Sequence, residues 1–197
     1  MQNLIIDSGN QDDSYLLNIF VSSAVNVLDS FGPAVFKGAK GYRLSFHFEG
    51  SQKKLSAYPG SYNASLHMVY HLSKQLLFLL KHGVSIVGLN VEDIVVLEGS
   101  FEPVFLICNP GGLVRMDDSE EMIEFTVPFV KPQFMYSAIR CLPAKVDAVE
   151  FAFGALGHLV IWFLNSDIQS IYGCKLYWFL QKCISENTGG VENYILI

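Results

Sequence analysis

Fourteen consecutive residues, Phe151 to Leu164, carry no charge and a single polar side chain, His158. A helix that is hydrophobic nearly all the way round has to be buried. The run stops short of the ~18 consecutive apolar residues expected of a membrane-spanning helix. Glu150 stands beside it and cationic flanks are missing, which also argues against a helix lying in the membrane surface. The sequence therefore predicts a central core helix from about Asp147 to Leu164, around which the rest of the chain must pack, and no transmembrane segment.

Charged residues make up only 16% of the 197 residues and hydrophobic residues 51%, against about 25% charged in an average globular chain. Two readings fit: a larger than usual buried fraction, or apolar surface covered by a partner. A net charge of -6 with no compensating basic run argues against binding nucleic acid by direct phosphate contacts. Cys108, Cys141, Cys174 and Cys183 form no C-x-x-C pair and no His/Cys cluster, so neither zinc nor a disulfide framework is implied. Buried thiols in an intracellular, reducing compartment, cytoplasm or nucleus, are expected instead. The first residues lack the positive, then apolar, pattern of a secretory leader.

Asp12 and Asp13 precede apolar residues at helical spacing through Leu28, and Phe31-Gly-Pro33 would end that helix. The runs 34–36 and 42–48, the second alternating apolar with polar, read as strands joined by the turn between Gly38 and Gly41. Residues 50–60 carry Ser, Lys, Pro and Gly and read as a connector. A long, largely buried helix is predicted from Ser65 to His82, its broad face including Tyr70 and Leu77, with Gly83 as its stop. Ile94–Leu97 and Val104–Ile107 form a second hairpin pattern, an acidic turn-rich stretch follows to Glu124, and a last helix is expected over about 175–184. The expected division is 1–50 as a small helix and hairpin, 51–64 as connector and 65–197 as a mainly helical unit, in an α+β fold.

This order is similar to a protein kinase from its regulatory helix onward. The residues that carry the resemblance are 82–96, which align without a gap on the kinase catalytic loop, H-R-D-L-x-x-x-N, a segment that follows a helix and opens a hairpin. The resemblance implies a C-lobe-like helical domain behind a reduced N-lobe, covering roughly Ser14 to Ile197. It also implies that the chemistry has been lost. Gly88 falls where a kinase keeps the aspartate that accepts the substrate proton, Asn90 at the usual lysine, and Asp93 at the asparagine that holds a second magnesium ion. After the strand ending at Ile107, either Asn109 or Pro110 takes the place of the metal-binding aspartate of Asp-Phe-Gly, depending on where one gap is placed. Tyr136-Ser-Ala138 stands in place of Ala-Pro-Glu, and Asp147 resembles the aspartate that braces the catalytic-loop backbone. The piece between Leu164 and Lys175 is short for the family, implying a turn where a peripheral helix would lie. No G-x-G-x-x-G loop and no V-A-I-K strand precede the first helix.

The expectation is thus a protein without catalytic residues, cofactor or metal, acting as a binding module: a pseudokinase-like adaptor or a decoy for a true kinase. The alternative is a structural subunit buried in an assembly such as a capsid, a ribosome or a cytoskeletal complex. Asp117, Asp118, Glu120 and Glu121, with Glu124, form an acidic cluster that reads as a solvated loop or as a docking strip for a basic partner segment. His67 and His71 stand at the i, i+4 spacing of zinc ligands but lack a sequence neighbour to complete a site, and His158 reads as a core histidine with a hydrogen-bond partner.

Overall fold

A computed structural model describes residues 1–9, 13–86, 88–116, 123–125, 139–141 and 145–184, of which 123–125, 139–141, 145–148 and 150–151 are described in backbone only. The chain is α+β, with small antiparallel sheets and four α-helices among the described residues. In chain order the elements are β1 (Gln2–Asp7), α1 (Ser14–Leu28), β2 (Ala34–Gly38), β3 (Gly41–Phe46), β4 (Gly50–Lys54), α2 (Tyr62–Lys81), β5 (Val84–Ile86), β6 (Ile94–Gly99), β7 (Val104–Ile107), β8 (Leu113–Arg115), β9 (Ile123–Phe125), β10 (Ile139–Cys141), α3 (Lys145–Leu164) and α4 (Lys175–Ile184). The strands form sheets ordered β1-β3-β2, β4-β6-β7, β5-β8 and β10-β9.

Helix α1 starts where its cap predicts: the Asp13 carboxylate accepts the N–H groups of Tyr15 and Leu16 at 2.9 and 3.4 Å. The same carboxylate receives Arg115 Nε and Nη2 at 3.0 and 2.6 Å, tying the helix start to β8. The guanidinium holds the Asp13 carboxyl below its ordinary value. A single 3-10 turn, Asp29–Phe31, and Gly32 at φ +60° close the helix before Pro33. The hairpin of β2 and β3 follows as expected, with Gly38 opposite Gly41. The sequence reading missed β1, which adds to the far side of β3 from Gln2↔Phe46 to Asp7↔Gly41 and buries Leu4 and Ile6 in the core.

Helix α2 is the centre of the packing. Ser61 caps it by accepting the Ala64 N–H at 3.1 Å, one turn earlier than expected, and Gly83 at φ +70° ends it. It packs against α1, α3, β5 and β7. Met68, Val69, Leu72, Leu76 and Leu79 are buried, whereas Tyr70 and Leu77, expected on the buried face, are exposed. α3 packs between α2 and α4 with Phe153, Leu156, Leu159, Val160 and Phe163 inward. At Gly157 an added Cβ would come within 2.5 Å of Cys183 Cβ, so glycine permits the close approach of α4. No described helix is long and apolar enough to cross a membrane.

The stretch read as a connector contains β4, which pairs with β6 from Gly50↔Gly99 to Lys54↔Val95. One hydrophobic cluster runs from Leu4 to Cys183 across it. On the other side of β6, β7 pairs from Ile94↔Ile107 to Leu97↔Val104 and turns its outer edge to α2. A fully buried polar residue of α2, Gln75, meets that edge. Its Nε2 donates to Ile107 O at 3.0 Å and its Oε1 accepts the Ile107 N–H at 2.9 Å. The side-chain amide thus presents to β7 the donor and acceptor that a neighbouring strand would. Between α3 and α4 the chain makes only a 3-10 turn, Ile168–Ile171.

Replacing Gln75 with leucine keeps the volume and strands both backbone groups of Ile107 in the core, at about 1–3 kcal/mol for each unsatisfied group. We expect Gln75→Leu to lower the unfolding free energy by about 2–4 kcal/mol in urea denaturation, with an unchanged slope. A loss under about 0.5 kcal/mol would mean that water or a shifted strand satisfies Ile107.

Candidate functional site

Two loops converge at the end of β7. The first leaves β5, passes Gly88 at φ +74° and enters a 3-10 turn, Val91–Asp93. Asn90 and Asp93 cap that turn reciprocally: Asn90 Oδ1 accepts the Glu92 N–H at 3.3 Å, and Asp93 Oδ2 accepts the Asn90 N–H at 3.0 Å. The second leaves β7, where the Cys108 N–H donates to Asp93 O at 2.7 Å. Asn109 then reaches across, its Nδ2 donating to Asp93 Oδ1 at 2.7 Å while its Oδ1 accepts the Gly111 N–H at 3.0 Å. The structure thus brings Asp93 to Asn109, while Pro110 is buried beside them. Asn90 joins this knot and Gly88 stands before it without a side-chain acceptor.

Both carboxylate oxygens of Asp93 and both amide atoms of Asn109 are engaged within the protein. Lys54 from β4 donates its Nζ to Glu92 O at 2.6 Å, adding a further hydrogen bond to the 3-10 turn. Burial pushes the Cys108 thiol up to about 12, which keeps it protonated at neutral pH and poor as a nucleophile. Among the described residues no group of three or more His, Cys, Asp or Glu side chains is placed to hold a metal ion. What the arrangement does chemically is fix two loops against one another.

Asp117, Asp118, Glu120 and Glu121 lie outside the described residues, as does Tyr136-Ser-Ala138. Asp147 falls in the first turn of α3, and its side chain lies outside the described residues.

Two surface features were not anticipated. The first is a groove of about 520 Å³ lined by Asp29, Phe31, Tyr70, His71, Lys74, Phe101 and Glu102 among others. The β6–β7 turn carries Glu102 to 3.6 Å from His67 Nδ1, supplying the carboxylate neighbour that sequence spacing alone did not show. His71 stacks on His67 with ring centroids 6.4 Å apart, and its Nδ1 is buried without a hydrogen-bond partner. Burial lowers its pKa to about 4. The half-buried His158 is likewise lowered by burial. The second feature is an aromatic face formed by Tyr172, Tyr177 and Trp178, with ring centroids 5.0 to 6.1 Å apart. Tyr172 is 68% and Trp178 48% exposed.

Compared with protein-family models the chain matches none, and no curated protein matches it in sequence.

Asp93→Ala releases Asn90 and Asn109 together and is expected to lower stability by about 1–3 kcal/mol. Asn109→Ala, which leaves the Asn90 bond in place, is expected to cost less, and both are read by thermal or urea unfolding. His71 supplies a pH dependence of definite sign. Its folded pKa lies below the unfolded value near 6.5, so the unfolded chain takes up a proton first as pH falls. Its contribution is fully present above about pH 6.5 and is lost progressively toward pH 4, on the order of 2 kcal/mol between pH 7 and pH 5. His71→Gln should flatten that part of the pH–stability curve; an unchanged curve would place the proton uptake elsewhere.

Proposed function

We propose that the chain is a non-catalytic protein-binding module, similar to a kinase C-lobe that has lost nucleotide chemistry. The exposed pair Tyr172 and Trp178, backed by the buried Tyr177 ring, carries the binding half of this reading. Tyr and Trp supply large contact area at low entropic cost and are enriched where interfaces gain most of their energy. A chain with 16% charged residues has little polar surface to spare, so exposed aromatics gathered in one place are best explained by a partner.

The non-catalytic half is supported by the two loops. Segment 82–96 runs from the end of α2 through β5 into the β6–β7 hairpin, the context in which a kinase places its catalytic loop. Asp93 and Asn109 stand at the positions where the resemblance puts an asparagine and an aspartate that ligate magnesium. Here their types are exchanged and they bond to each other. Gly88 offers no side chain to accept a proton, and a phosphotransferase relies on positioned carboxylates and metal for that step.

A catalytically competent kinase, bound as a decoy or adaptor would bind it, is the partner class the resemblance implies. The reduced thiols Cys108, Cys174 and Cys183 are in keeping with an intracellular, reducing compartment. A structural subunit of a larger assembly remains the second reading, favoured by the 51% hydrophobic content. It differs in solution: the isolated adaptor sediments as a discrete monomer or dimer, and the isolated subunit aggregates.

Millimolar ATP with magnesium is expected to leave the melting temperature unchanged; a rise of several degrees, the mass-action signature of a ligand, would overturn the non-catalytic reading. Trp178→Ala combined with Tyr172→Ala should keep the melting temperature within about 3 °C and reduce recovery of co-purifying protein at least tenfold. Undiminished recovery would remove the aromatic face from the proposal.

A further inference from the structure

Among the described residues the sheet order β1-β3-β2 leaves β2 as an open edge. All five of its residues are exposed, Val35 at 45% and Phe36 at 47%. Natural edge strands are guarded by proline, by a bulge, by covering structure or by being short and charged. β4, the edge of the neighbouring sheet, follows that rule with Gln52, Lys53 and Lys54. β2 has no proline, pairs with β3 residue for residue without a bulge, and carries one charge, Lys37.

The backbone of β2 is ready for a further strand. The Gly38–Gly41 pair closes a two-residue turn, and in an antiparallel ladder hydrogen-bonded and open pairs alternate from there. Phe36 and Ala34 therefore bond to β3, while the N–H and C=O groups of Val35 and Lys37 point away from the sheet.

The side chains around this edge have one sign. Residues 34–43 contain Lys37, Lys40 and Arg43 and no acidic residue, in a chain whose net charge is -6. Ile5, Arg43 and Phe36 form a row across the outer face, with the Arg43 guanidinium 4.9 Å from the Phe36 ring. Lys37 lies 5.9 Å from the Tyr42 ring. Among the described residues lining a shallow pocket of about 320 Å³ here, Asp7 of β1 is the one carboxylate, beside Lys37, Lys40 and Arg43.

We propose that the free edge of β2 docks an extended acidic segment of a partner protein, added as a fourth strand to the β1-β3-β2 sheet. Main-chain bonds to Val35 and Lys37 hold the segment, its apolar residues lie beside Phe36 on the outer face, and its carboxylates, on the opposite face, meet Lys37, with Lys40 and Arg43 adding positive charge nearby. Strand addition takes its affinity from the main chain and its selectivity from alternate side chains. The inference rests on the binding-module reading and names a surface and a partner chemistry for it.

The probe is a fluorescein-labelled nine-residue peptide alternating valine and glutamate, with the valine–lysine peptide as control, titrated into the full chain by fluorescence anisotropy. The acidic peptide should bind at least tenfold more tightly than the control and lose most of that preference in about 0.5 M salt. On binding, the amides of Val35 and Lys37 should gain protection from hydrogen exchange. Val35→Pro removes an outward N–H at a position where an edge strand tolerates proline and should weaken binding at least tenfold. Lys37→Glu, which leaves the backbone alone, should reverse the preference toward the lysine peptide. Equal binding of the two peptides, or Lys37→Glu without effect, overturns the proposal. Sedimentation showing a dimer that Val35→Pro dissociates overturns it too, by making a second copy the occupant. A failed titration with no nucleotide-induced stabilisation rejects the edge alone; a nucleotide shift rejects the parent reading as well.

Discussion

The bidentate contact between Gln75 and Ile107 is the constraint on which the middle of the molecule depends. Among the described strands β7 has a neighbour on one side only, and its other edge faces a helix whose own hydrogen bonds are satisfied internally. A buried edge of that kind needs a side chain that can both donate and accept, and the Gln75 amide does both at one residue. Because Ile107 is the last residue of β7, the clamp sets where the chain leaves the sheet. Cys108 then bonds to the Asp93 backbone and Asn109 to its carboxylate. A contact in the core of α2 thus determines which groups meet in the loops.

Inward-looking polarity separates the loop site from the two surfaces. Around Asp93 the donors and acceptors are consumed by one another, and the nearby Lys54 donates to a backbone carbonyl. At the β2 edge and on the aromatic face the reverse holds: backbone groups, rings and cations are presented outward. A site built for phosphoryl transfer would show the opposite allocation, with carboxylates and a cation held open toward substrate. This contrast is the physical content of the proposed binding role.

Much of the fold was legible because period and punctuation agreed. Asp13, Gly32 with Pro33, and Gly83 mark helix ends, and the apolar run 151–164 gave a helix packed between two others. The pairs β2–β3 and β6–β7 are local hairpins announced by their turns. What escaped has a common cause in long-range pairing with weak local pattern. β4 is Gly-Ser-Gln-Lys-Lys, which reads as linker until Val95 to Gly99 is set beside it, and β5 and β8 are three residues each, joined from Val84 to Arg115. At the loop site, sequence spacing left open whether Asn109 or Pro110 takes the aspartate position of the resemblance, and it could not show that the Asn109 side chain bonds to Asp93, sixteen residues away. Gln75 was a signal in plain view, a lone amide among Leu72, Leu76 and Leu79, and its meaning required knowing which strand edge lay against it.

The central claim is the proposal that the Asp93 carboxylate, hydrogen-bonded to Asn90 and Asn109, takes no metal-bound nucleotide. The most direct test is paramagnetic relaxation of the Asn109 side-chain amide protons by manganese with ATP, followed by nuclear magnetic resonance. The account predicts that the Asn109 amide and the Asn90 N–H keep their line widths while exposed surface amides broaden weakly and uniformly. Selective broadening of those two groups, saturating with nucleotide, would contradict it.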